Sequence, residues 1–232
     1  MTRRRDGDVA FRRVRELREG LWHWQAPHPE WSPGRRWRRE VSSYALDDGE
    51  RLLLFDPLAV PRELRAAAAD REPVVVLTAP WHERDARTLV EQLGATLVAP
   101  APDSAQDLMD KFGITAEQAG DGSPDLRWVR GGGADVRWYA AGDRLPAGIA
   151  ARAGREPNDL VLWVPSVGAL VAGDTLADFG DGLAVTWREG GPVAREHLVE
   201  RLRPLLDLPV EIVCAAHGAP AGRAALERAL AR

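Results

Sequence analysis

Three observations on the 232-residue chain predict an α/β fold. Val74-Val75-Val76-Leu77 is a short apolar run, mostly β-branched, which is the pattern of a strand buried on both faces. A polar cluster follows, then Leu89, Val90 and Leu93 at helical spacing before Gly94, so a helix over 83–93 is expected. Ala95–Ala99 then returns as a strand, closing a β-α-β unit that should be parallel and right-handed. His82, Glu83, Arg84 and Asp85 therefore stand where a buried strand hands over to a helix, the corner at which open α/β layers bind ligands and metals.

The remaining elements follow in order. Residues 1–20 read as a basic tail, with Arg3, Arg4, Arg5, Arg12, Arg13, Arg15 and Arg18. Leu21–Ala26 alternates at period two and stops at Pro27, a strand. Trp31–Trp37 reads as a loop. Val41–Leu46 and Arg51–Phe55 flank Asp47-Asp48-Gly49-Glu50, which predicts a hairpin. Pro61–Ala69 is a helix with Pro in its first turn and an alanine-rich body. Asp103 is placed to cap a helix through Phe112. Gly113–Gly133 and Gly142–Asn158 are rich in turn residues and read as loops on either side of a strand at Val136–Tyr139. Leu160–Val164 and Ala169–Ala172 form a second hairpin. Pro192–Leu206 is amphipathic, Pro209–Ala215 is the last strand and Ala221–Arg232 the closing helix. No repeat or linker divides 21–232, so a single domain is expected.

Bulk properties narrow the function. A hydrophobic fraction of 45% and a charged fraction of 28% are those of an ordinary globular chain. The net charge of -4 argues against a general nucleic-acid binder. The lone Cys214 rules out an internal disulfide and reads as a small core residue. The absence of a long apolar run or secretory leader makes a cytoplasmic protein without membrane contact the expectation. The Ala, Arg and Gly bias over Lys suggests a bacterial source.

Three buried strands end in a polar residue beside Gly or Pro: His82, Asp174 and His217. Imidazole and carboxylate suit Zn, Fe or Mn. Each alone reads readily as a structural residue: Asp174 in a turn, His217 in a loop and His82 at a helix start. Their joint placement and flanks resemble the metallo-β-lactamase superfamily. Val41–Leu46 and Leu52–Pro57 look like its opening hairpin with Asp56 after the second strand, Val74–Asp85 occupies the place of its main metal motif, and Gly154–Asn158 resembles its mid-chain histidine segment. Leu170–Thr175 matches its Gly-Asp strand end, and Ile212–Gly218 its last metal histidine followed by Gly. The resemblance implies an αββα four-layer sandwich, two mixed sheets flanked by helices, with the site at one sheet edge.

The departures are as informative. Where the family carries His-x-His-x-Asp-His after the strand and its Thr, this chain has Ala79, Pro80, Trp81, His82, Glu83 and Arg84. Arg155 stands at the mid-chain histidine. A guanidinium repels a metal but balances a carboxylate or binds an anionic group. Two expectations follow. One is a protein that has largely lost the dinuclear site, carries no cofactor, and binds a small anionic ligand or a protein partner, with Asp56, Glu83, Arg84, Asp85 and Arg155 as ligand-binding or charge-balancing residues. The other is a divergent hydrolase with one Zn or other divalent ion held by His82, Asp174 and His217. The first expectation also places Arg84 or Arg155 beside a carboxylate of the site.

Overall fold

The computed structural model describes residues 14–129, 132, 134–187 and 193–231. Arg3, Arg4, Arg5, Arg12 and Arg13 of the expected tail, Gly133, Pro192 and Arg232 lie outside the described residues. Two sheets carry the fold. The first holds β1 (Arg15–Arg18), β2 (Leu21–Pro27), β3 (Glu40–Asp47), β4 (Arg51–Phe55), β5 (Glu72–Val76), β6 (Thr96–Pro100) and β7 (Val136–Tyr139), side by side in that order. Neighbours from β1 to β4 are antiparallel, and those from β4 to β7 are parallel. The second sheet contains β8 (Ala150–Glu156), β9 (Asp159–Val164) and β10 (Ala169–Gly173). A separate ribbon, β11 (Leu176–Ala177) with β12 (Ala184–Val185), follows β10, and β13 (Ile212–Ala215) and β14 (Ala221–Gly222) complete the second sheet. Its order is β14-β13-β10-β9-β8, with only β10 and β13 parallel.

The period-two alternation of the strands assigns the layers. Leu53, Phe55, Val74 and Val76 of the first sheet meet Leu160, Leu162, Val171 and Cys214 of the second in one buried cluster between the sheets. Leu52, Leu54, Val75 and Leu97 face the other way, onto α1 (Arg62–Ala67) and α2 (Ala86–Leu93) through Leu64 and Leu89. Val161, Leu170 and Val213 pack outward on α5 (Arg195–Leu202) and α6 (Arg223–Ala231) through Leu198, Leu202 and Leu226. The result is the expected four-layer αββα sandwich. Two further helices, α3 (Ala105–Phe112) and α4 (Ala116–Ala119), cross over between β6 and β7.

Several expectations need correction. Residues 15–18 of the expected tail form an edge strand. Residues 83–85 are a turn between a 3-10 turn at Pro80–His82 and α2, because Arg84 takes φ 41°, outside the helical region. The cap of α3 is Ser104, which makes a reciprocal capping box with Asp107. The loop expected at 113–133 contains α4. The turn-rich stretch 142–158 contains β8, seven residues paired antiparallel with β9. Between Val164 and Ala169 the chain makes a 3-10 turn, as a hairpin connection.

Gly173 closes β10 at the mouth of the sandwich with φ 50°, and an added Cβ would lie 2.4 Å from Thr78 Oγ1. Left-handed backbone and overpacking act together there. Gly173→Ala is expected to lower stability by about 3 kcal/mol, read as a drop in urea midpoint at constant slope.

Candidate functional site

The site is built where β4, β5, β10 and β13 end on the same rim of the sandwich. Asp56, directly after β4, is 3% exposed and adopts φ 43°. A buried carboxylate must be satisfied by donors or a cation. Thr78, just past β5, gives Asp56 two donors: its N–H to Oδ1 at 2.8 Å and its hydroxyl to Oδ2 at 2.6 Å. His82 supplies a third, Nδ1 donating to Oδ2 at 3.0 Å. The other edge of the same imidazole faces Asp174, with Nε2 3.3 Å from Oδ1. Asp174 follows Gly173 at the end of β10, and His217, two residues past β13, sets its Nε2 3.4 Å from that same Oδ1. His82, Asp174 and His217 therefore converge, although they lie far apart in sequence.

Arginine occupies both expected places. Arg84 Nη1 donates to the carbonyl of Asp56 at 2.6 Å, the carbonyl of Ser42 at 2.9 Å and the hydroxyl of Ser43 at 3.3 Å, tying β3 to the Asp56 corner. Arg155, in β8, places Nη2 3.9 Å from Asp174 Oδ2 and Nε 3.0 Å from Asp159 Oδ2, and donates from Nη1 to Thr186 at 3.1 Å. Trp81 Nε1 donates to Asp174 Oδ2 at 3.2 Å, and the Arg155 guanidinium lies 5.9 Å from the centre of the Trp81 ring. The mouth is roofed by aromatic rings: Trp37 at 5.1 Å and Phe179 at 5.5 Å from the His217 ring.

Glu83 and Asp85 anchor loops instead of joining this cluster. Glu83 accepts from the N–H of Leu126 at 3.1 Å, and Asp85 from the N–H of Ala59 at 2.6 Å. The sequence reading missed Asp159. It opens β9 after Asn158, where it looks like a turn residue, yet it is 0% exposed and its partner is the Arg155 guanidinium, with Nε 3.0 Å from Oδ2. The apolar run that follows it was the available signal for burial.

Electrostatics follow from this packing. Burial alone would lower the pKa of His82, but Asp56 and Asp174 on its two sides raise it to about 10, so the ring is a cation at neutral pH. Burial would raise Asp56 and Asp174. The charge of His82 outweighs it in both, helped at Asp174 by the His217 ring close by, and holds Asp56 below and Asp174 well below the ordinary carboxylate value. At Asp159 burial prevails over Arg155, and with Asp174 nearby the carboxyl is pushed up to about 7. Burial lowers Arg84 from its ordinary value, a starting point high enough for a guanidinium to remain charged. His82 thus stands between the carboxylates of Asp56 and Asp174, Arg155 beside Asp174 and Asp159, and Arg84 on the backbone carbonyl of Asp56.

Buried Ala79 and Pro80 cannot ligate, and Trp81, Arg84 and Arg155 bring only donors. Among the described residues, no group of three or more His, Cys, Asp or Glu is arranged to hold a metal ion. No described helix is long and apolar enough to cross a membrane.

No family model and no curated protein matches this sequence. Solved structures do match in shape. DIM-1 metallo-β-lactamase is 13% identical with a TM-score of 0.63, over 94% of this chain and 95% of that one. A metallo-β-lactamase family protein from Thermus thermophilus is 18% identical with a TM-score of 0.59, over 93% and 80%. The mono-zinc form of FIM-1 from Pseudomonas aeruginosa is 13% identical with a TM-score of 0.59, over 97% and 95%. The chain has the metallo-β-lactamase fold.

The raised pKa of His82 fixes a sign. Its folded value of about 10 exceeds the unfolded 6.5, so its stabilisation is complete below 6.5 and is lost as pH rises through 10. The stability difference between wild type and His82→Gln, from urea titrations, is therefore expected to shrink between pH 7.5 and 10. With a metal on Nε2 the neutral ring would be favoured, and the difference would stay flat over that range.

Proposed function

We propose that this protein is a metal-free member of the fold, non-catalytic, in which a protein-only ion network replaces the metal centre and the rim binds a small anionic ligand or a partner. The observation that carries the reading is the double engagement of His82: Asp56 on Nδ1 and Asp174 facing Nε2 leave it as the cation between two carboxylates. Arg155 then stands beside the outer oxygen of Asp174 and retains 25% side-chain exposure, so it is the cation an anionic group would reach first. Trp81, Trp37 and Phe179 around the mouth supply apolar walls for such a group. Nothing in this network generates a nucleophile: His82 is already protonated, and Thr78 donates its hydroxyl to Asp56.

A second reading has one specific observation in its favour. Asp174 Oδ1 is buried without a hydrogen-bond donor although two imidazole nitrogens lie 3.3 and 3.4 Å away, separations that ligands of one tetrahedral ion also have. Asp56 on Nδ1 would then orient His82 as a metal ligand. That reading is a hydrolase with one divalent ion on His82, Asp174 and His217.

The two are separated by metal analysis of untagged protein together with thermal melts. The metal-free reading expects less than about a tenth of an ion per chain, no loss of melting temperature on EDTA treatment, and destabilisation by Arg155→Ala of about 2 kcal/mol. Asp174→Asn should be milder, because it removes the charge that needs balancing. Stoichiometric metal, with a melting temperature that falls in EDTA and recovers with Zn or Mn, would establish the hydrolase instead.

A further inference from the structure

The loop between β2 and β3 contains Arg35-Arg36-Trp37-Arg38-Arg39. All four guanidinium-bearing residues are exposed, and none forms an ion pair or a side-chain hydrogen bond with a described residue. By contrast Arg51, Arg71, Arg84, Arg87, Arg155 and Arg223 are all bonded to acidic or carbonyl groups. Unpaired like charges this close together repel one another and are stabilised by an anion.

The loop is also built to stay in place. Trp37 packs edge-on against His28 at 5.3 Å and at a tilt of 55° against His217 at 5.1 Å. Trp31 Nε1 donates to the Trp37 carbonyl at 2.9 Å, and the His28 N–H donates to the Arg39 carbonyl at 2.8 Å. Trp31 itself is half-buried and lies four residues before Arg35 in the same loop. Four outward guanidiniums in five residues exceed what one phosphate or carboxylate can occupy, so the matching anion has several phosphates in a row. Guanidiniums fork onto phosphate oxygens, and an indole offers a face for a base.

We propose that the Arg35–Arg39 loop, with Trp31, binds the backbone of a single-stranded nucleic acid. The overall charge of -4 does not oppose this, since a patch acts within about one Debye length, roughly 8 Å at physiological salt. The inference does not depend on whether the buried cluster holds a proton or a metal.

The test is fluorescence anisotropy of a labelled twelve-residue oligothymidylate with the full chain. If three phosphates are engaged, wild type should weaken roughly 20-fold between 50 and 200 mM salt. Replacing all four arginines (R35A, R36A, R38A, R39A) should cut affinity at least tenfold at 50 mM salt and flatten the salt dependence, with an unchanged melting temperature because the side chains are exposed. Trp31→Phe, which keeps a stacking face, should retain most of the affinity, and Trp31→Ala should lose several-fold more. Failure of wild type to bind, or binding that survives the fourfold replacement, overturns the proposal. So does wild-type binding to phosphatidylserine vesicles without binding to the oligomer.

Discussion

The constraint on which the rim depends is a single buried carboxylate. Asp56 lies where β4 ends against β5, almost fully enclosed, and its backbone is held in the left-handed region. A charge there is tolerable only if its surroundings answer it completely. Thr78 closes the β5 end onto it with two donors, His82 adds a third, and Arg84 binds its carbonyl while gripping β3. The non-helical turn at 83–85 follows from the same demand. Arg84 must turn back toward Asp56 and Ser42, and it does so at φ 41°.

From that node the contacts run across the gap between the sheets. His82 carries the link to Asp174, and Asp174 approaches His217 and Arg155, so the ends of β4, β5, β10 and β13 meet in one polar cluster. The backbone of the last strand is held from the opposite sheet as well. Ser42 donates its N–H to the Ala216 carbonyl and its hydroxyl to the Gly218 carbonyl, and Tyr44 donates to the Ala215 carbonyl. These bonds explain why His217 arrives beside Asp174 although it follows a four-residue strand. They also tie the two sheets together at this rim.

Much of this was legible in the chain. Val74–Leu77 and Leu160–Val164 declared buried strands because they have no polar alternation, and Gly173-Asp174 and His217-Gly218 marked strand ends. The four-layer architecture came through the resemblance those ends support. What stayed hidden had physical causes. The sequence Ala150–Glu156 has two arginines and a glycine and reads as a turn, yet pairing with β9 makes it a strand, so tertiary contact overrode local preference. Asp159 looked like a turn residue next to Asn158, and only the packing reveals a carboxylate with no exposure. Glu83 and Asp85 looked like partners for Arg84 and instead bind loop N–H groups, a distinction of direction that no one-dimensional spacing encodes. The proximity of Arg155 to Asp174, in contrast, followed from its place in the mid-chain segment.

On the metal-free reading proposed above, a proton on His82, and not a metal ion, holds the two carboxylates of the rim together. The most direct measurement is the nitrogen-15 NMR spectrum of the histidine rings of untagged protein, followed from pH 6 to 10. One ring, assigned to His82 by its absence in His82→Gln, is predicted to keep both nitrogens protonated through pH 8 and to titrate only near pH 10. A His82 ring that is neutral at pH 7, with Nε2 shifted by added Zn or Cd, would contradict it.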